Sequence, residues 1–179
     1  MKQIFTPFLL VFVVLSLSNC KKIDEFTQFD MNYNQTVVIP SSSGINLPFN
    51  LFAPDVETNS ESEFAINDTR KDLIEEITLK TLGLEITSPS NGDFSFLKSI
   101  AIYINAEGLG ELEIAKDDDV QGDNTKTLTL TPTALDLKEY IKKDQFTLRF
   151  KTVTDEVLTQ DYHIRANTQF FVDAKILGQ

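Results

Sequence analysis

The sequence predicts an all-β fold, a two-sheet antiparallel β-sandwich of immunoglobulin-like kind with one short crossover helix. Three observations carry this. From about residue 34 onward, apolar residues recur mostly at every second position, as strands with one buried face require. The strands follow one another at short intervals with no βαβ rhythm. A single patch has helical spacing.

The elements follow in order. Thr36-Val37-Val38-Ile39 forms a strand that Pro40 and Ser41-Ser42-Ser43-Gly44 stop. Ile45, Leu47, Phe49 and Leu51 alternate in a second strand. Pro48 cannot donate to a ladder, so that strand belongs at an edge or carries a bulge. Ala53 to Asp72 is polar and acidic and reads as a long surface loop. Glu76 to Thr87 is β-rich, with an apolar phase that changes between Leu79 and Leu82. A slip of one residue turns every side chain to the other face, so a bulge or bend is expected near Thr81.

Ser88-Pro89-Ser90-Asn91-Gly92 ends that strand, and Ile100, Ile102 and Ile104 mark the next. Leu112 and Ile114 form a shorter partner beyond Gly108-Leu109-Gly110. Leu128 and Leu130 lie in a Thr-rich strand closed by Pro132. Thr133 to Lys142 is the helical patch: Thr133 caps its start, Leu137, Tyr140 and Ile141 share a face, and Lys142-Lys143 suit the negative end of the dipole. Phe146, Leu148 and Phe150, then Tyr162 to Ile176, supply the closing strands.

The N-terminus has a different character. Ile4 to Leu17 is almost unbroken apolar sequence behind Lys2, shorter than the roughly 20 residues that span a bilayer. It reads as a signal peptide. Leu17-Ser18-Asn19-Cys20 resembles the lipobox of bacterial lipoproteins, although Asn19 stands where Gly, Ala or Ser is usual. The resemblance implies cleavage before Cys20 and diacylglycerol on its sulfur. Cys20 is the only cysteine, so no disulfide staples the fold, and a lipid there removes the liability of a free exported thiol. Acyl chains contribute about 0.8 kcal/mol per buried methylene, enough for stable anchoring when two or more are present. The resulting division is a signal peptide over 1–19, a lipidated Cys20 and tether over 20–33, and one β domain over 34–179. The expected address is the outer membrane of a Gram-negative cell, facing either the periplasm or the medium.

The formal charge is -11. Residues 1–19 contain one Lys and no acid, so the remainder carries -12. A phosphate-binding surface needs clustered Lys and Arg, and the basic residues here are scattered among more numerous carboxylates, which argues against nucleic acid. His163 is the only histidine and alternation places it on the solvent face, so multi-histidine metal sites are excluded. There is no Gly-x-Ser-x-Gly elbow and no glycine-rich phosphate loop after a strand.

Two acidic clusters remain. Asp117, Asp119 and Asp123 surround a turn glycine, Gly122, with oxygen donors of the kind calcium gathers. The twelfth residue from Asp117 is Leu128, which departs from an EF-hand loop, and a solvated hairpin turn is the preferred reading. Glu107, Glu111 and Glu113 invite comparison with the paired acids of glycosidases, but nothing in the sequence fixes their separation. With no Trp and 14 Phe largely claimed by the core, carbohydrate stacking has few candidates besides four Tyr. The leading expectation is a non-enzymatic envelope lipoprotein that binds a protein partner in adhesion, scaffolding or assembly. The alternative is a calcium-dependent or carbohydrate-binding surface module.

Overall fold

A computed structural model describes residues 27–120 and 125–175. They are mostly β: β1 (Gln28–Ile39), β2 (Phe49–Phe52), β3 (Val56–Glu57), β4 (Ile74–Ser88), β5 (Leu97–Ala106), β6 (Leu112–Asp117), β7 (Thr127–Pro132), β8 (Gln145–Thr154) and β9 (Tyr162–Ala174). Two short α-helices, α1 (Ser60–Ile66) and α2 (Lys138–Ile141), interrupt them. The strands form one curled sheet in the order β1-β9-β4-β7-β6-β5-β8-β2, with β3 also on β8. Every strand pair is antiparallel.

Alternation is the cause of the burial pattern. In β8, Phe146, Leu148 and Phe150 point inward and are at most 1% exposed. Thr147, Arg149 and Lys151, which alternate with them, point outward. In β5, Ile100, Ile102 and Ile104 are buried while Tyr103 and Asn105 alternate with them. The curl brings distant strands together. Tyr33 of β1 meets Phe146 of β8 edge-on at 5.3 Å between ring centroids, and Phe170 of β9 at 5.9 Å. Phe146 and Phe170 close the triangle at 6.0 Å. Such edge-to-face pairs add about 0.5–1.5 kcal/mol beyond the area they bury.

Several sequence expectations hold. β4 and β9 shift register between Leu79 and Thr81, where the bulge is expected, so Ile77 and Leu79 before it and Leu82, Leu84 and Ile86 after it all face the core. The edge position expected of the second strand holds, since β2 ends the strand order, but the strand is shorter than expected: it begins after Pro48, and Ile45 and Leu47, expected on its buried face, lie outside it and are 39% and 65% exposed. Three expectations are corrected. The strand expected at Thr36 begins at Gln28, so residues 28–33 are sheet and not tether. The supposed loop from Ala53 to Asp72 contains β3, α1 and the start of a 3-10 turn at Lys71–Leu73. α1 turns Phe64 inward against Phe29, with centroids 6.2 Å apart.

The third correction concerns the helical patch, which shrinks to Lys138–Ile141. Thr133 does not cap it: its hydroxyl lies 3.2 Å from the carbonyls of both Glu113 and Ile114, which binds the segment to β6. The Asp136 carboxylate does the capping work, accepting from the backbone N–H of Lys138 and of Ile77. Leu137 N–H donates to the Ile77 carbonyl at 2.6 Å, so the connection from β7 to β8 is tied to β4.

Candidate functional site

The outward face of β6, β5, β8 and β2 carries a row of side chains set by register. Glu113 stands opposite Tyr103, Tyr103 opposite Arg149, and Arg149 opposite Phe52. Four strands thus contribute one residue each to a line across the sheet. A second line, Lys116, Ala101, Lys151 and Asn50, runs beside it.

Arg149 is the centre of this face. Its Nε and Nη2 donate to the two carboxylate oxygens of Glu111 at 2.6 and 2.5 Å, the bidentate fork that guanidinium geometry favours. Nη1 donates to Asn50 Oδ1 at 2.6 Å. The guanidinium also lies over the Tyr103 ring, 4.1 Å from its centroid. The Tyr103 hydroxyl donates to Glu113 Oε2 at 2.9 Å. The side chain of Arg149 is only 16% exposed, whereas Phe52 next to it is 69% exposed. A rigid polar frame therefore holds a planar cation and a tyrosine beside an uncovered aromatic ring.

The turn that delivers Glu111 is held from two sides. Leu109 N–H donates to the Ala106 carbonyl, with Gly108 at φ 74, a conformation that costs glycine little. Tyr140 Oη donates to the Gly110 carbonyl at 2.6 Å, which ties α2 to the same turn. Alongside Tyr103, a groove of about 390 Å³ runs over the small side chains of Ser99 and Ala101 toward Pro48 and Val153, with Lys151 and Glu113 in its walls.

Electrostatics follow from these contacts. The hydrogen bond from Arg149 holds the Glu111 carboxyl below its ordinary value of 4.5. The hydrogen bond to Glu113 pushes the Tyr103 hydroxyl up. A depressed carboxylate pKa contributes stability that is complete above the unfolded value and is lost as pH falls through the folded one. The clamp should thus persist at pH 4.5 and open only below it. Carbon-detected NMR titration of the Glu111 carboxyl should give a midpoint below 4.5; a midpoint at or above that value would contradict the clamp.

The residues singled out by sequence fare differently. Cys20 and Asp123 lie outside the described residues. Asp117 ends β6 and accepts from the Asp119 backbone N–H at 3.1 Å, while the neighbouring Asp118 pairs with Lys116 at 2.7 Å. Val120 N–H beyond them donates to the Lys98 carbonyl of β5 at 3.0 Å, and among the described residues no group of three His, Cys, Asp or Glu is arranged to hold a metal ion. Glu111 and Glu113 are both engaged, by Arg149 and Tyr103 respectively, and the lowered pKa of Glu111 is the reverse of what a general acid needs. His163 is exposed on β9, as alternation expects. The Tyr103–Arg149 pair was not foreseen, because its partners are joined by register across β5 and β8 and not by spacing along the chain.

No protein-family model matches the chain. No curated protein matches it either. Among solved structures, a chain from Desmodium yellow mottle tymovirus matches at 13% identity over 85% of this chain and 91% of that one, with a TM-score of 0.28. A similarity at that level carries no argument about fold or function. Among the described residues, no helix is long and apolar enough to cross a membrane.

Proposed function

We propose that the chain is a lipid-anchored protein of the Gram-negative envelope whose β domain binds a protein partner without catalysis, in adhesion, scaffolding or assembly. The observation that carries this reading is the row of Phe52, Arg149 and Tyr103 on one outward sheet face. Tyr and Arg dominate the energetic centres of protein interfaces, where a preordered side chain loses little entropy on docking. Arg149 is preordered by three partners and Phe52 offers uncovered apolar surface next to it. The anchor in this proposal is Cys20, on the strength of Leu17-Ser18-Asn19-Cys20.

The same proposal takes the two arms of the curled sheet as the two layers of an immunoglobulin-like sandwich. Its support is that β6 and β7, which join the arms, share only the pairs Ala115–Pro132 and Lys116–Thr131. The Tyr33–Phe146–Phe170 triangle draws side chains from both arms.

The test compares wild type with Phe52→Ser by cross-linking in intact envelopes. Wild type should yield a discrete protein adduct that Phe52→Ser loses by about tenfold or more, a change of about 1.4 kcal/mol or more. An unchanged adduct pattern would overturn the docking face. Mass spectrometry of the chain from membranes should find acyl groups on Cys20, and Cys20→Ser should release it into the soluble fraction. A second reading, capture of carbohydrate, is favoured by the groove beside Tyr103. It predicts binding to glycans that Tyr103→Ala abolishes.

A further inference from the structure

We propose that the groove beside Tyr103 is a binding site for short zwitterionic peptides of two or three residues, gripped by a carboxylate of the protein at one end and an ammonium at the other. The inference goes beyond the partner-docking reading and does not depend on it, since Phe52 is not among the residues that line the groove.

Register shapes the groove. Its floor is Ser99 and Ala101 on the outward side of β5, two side chains too short to fill the space above them. β8 supplies one wall, with Lys151 opposite Ala101 and Val153 opposite Ser99. β6 supplies the other, where Glu113 stands opposite Tyr103. Tyr103 closes one end, fixed by the bond from its hydroxyl to Glu113 and by the Arg149 guanidinium over its ring. About 390 Å³ lies open between these walls.

Charge selects the ligand. Two ion pairs on this face cancel themselves: Arg149 with Glu111, and Lys116 Nζ with Asp118 Oδ2 at 2.7 Å. Lys151 on β8 and Glu113 on β6 are left over. Lys151 is exposed and has no ion pair or hydrogen bond among the described residues. Glu113 accepts from Tyr103 through Oε2, and an ionised carboxylate accepts at both of its oxygens. The two cannot close on each other, because β5 runs between their strands and sets those backbones about 10 Å apart. A cation and a carboxylate therefore face across the groove without meeting.

A ligand with one charge of each sign, held apart by a short chain, completes both. Extended peptide spans about 3.3–3.6 Å per residue, so two or three residues set a terminal ammonium about 7–10 Å from the terminal carboxylate. A single amino acid, with both charges on one carbon, is too short. The N-terminal ammonium goes to Glu113 and the C-terminal carboxylate to Lys151, both as charge-assisted hydrogen bonds, and the last side chain lies toward Val153 and Pro48. Such a ligand has no net charge, so the -11 of the chain does not repel it.

Isothermal titration calorimetry of the full chain in detergent, with the dipeptide Ala-Leu as probe, decides the matter. Binding should appear with a Kd on the order of 100 µM. Free alanine, and Ala-Leu acetylated at one end and amidated at the other, should each bind about tenfold or more weaker. Lys151→Met and Glu113→Gln should each cost about tenfold with the β signal in circular dichroism unchanged. Lys151→Met should make no difference to Ala-Leu amide, which has no carboxylate for the lysine to lose. Lys143→Met, a change ahead of β8, should leave Ala-Leu binding as it is. No heat up to about 5 mM dipeptide overturns the proposal, and so does equal binding of the doubly capped form. Binding that survives both Lys151→Met and Glu113→Gln would place the peptide elsewhere and overturn it too. Binding of neutral oligosaccharides but not of Ala-Leu would give the groove to carbohydrate instead.

Discussion

Phe170→Ala should lower the stability of the domain by about 3–5 kcal/mol, a large part of the roughly 5–15 kcal/mol that holds a domain folded. The ring is 0% exposed. It sits on β9 between Met31 of β1 and Leu79 of β4, and touches Tyr33 and Phe146 edge-on. Truncation removes the ring from the place where strands far apart in the sheet order converge, and neighbours on two flanking strands cannot collapse into the space without moving the ladder. Urea unfolding followed by circular dichroism should show a lower midpoint with an unchanged slope. A loss under about 1 kcal/mol would mean that Phe170 is not central to the core.

Gln35→Met should act in the opposite direction, raising stability by about 1–3 kcal/mol. Gln35 is 8% exposed on the inward side of β1, and neither its amide nitrogen nor its amide oxygen has a hydrogen-bond partner among the described residues. Burying such a group forfeits its bonds to water without replacement, whereas Met has similar length and flexibility and no such debt. The expected rise in Tm is about 2–4 °C per kcal/mol for a chain of this size. An unchanged or lowered Tm would show that the amide is satisfied in solution, and would identify Gln35 as a residue that selects one packing over others.

Much of the sheet was legible in the sequence because one buried face imposes a period of two, and Ile100-Ile102-Ile104 and Phe146-Leu148-Phe150 follow it without interruption. The bulge near Thr81 was legible for the same reason, since a change of phase has no other outcome in a strand that stays half-buried. The start of β1 was missed although Phe29, Met31 and Tyr33 alternate inward, because the Asp and Asn residues between them read as tether. α1 was missed because seven residues with one buried aromatic, Phe64, hold too little pattern to set against a polar surround. The candidate site was legible only as separate residues. Glu111 and Glu113 drew attention as acids, but their engagement by Arg149 and Tyr103 depends on how β5, β6 and β8 align, which local spacing does not specify.

The place of β9 in the sheet also sets a schedule for folding. Both β1 and β4 hydrogen-bond to it, yet β1 begins at Gln28 and β9 does not end until Ala174. Closing so long a loop is slow, and it cannot happen before the last strand has been synthesised. Until then β1 lacks the strand with which it forms its ladder among the described residues, and the nascent chain is kept from its native shape by the order in which its parts arrive.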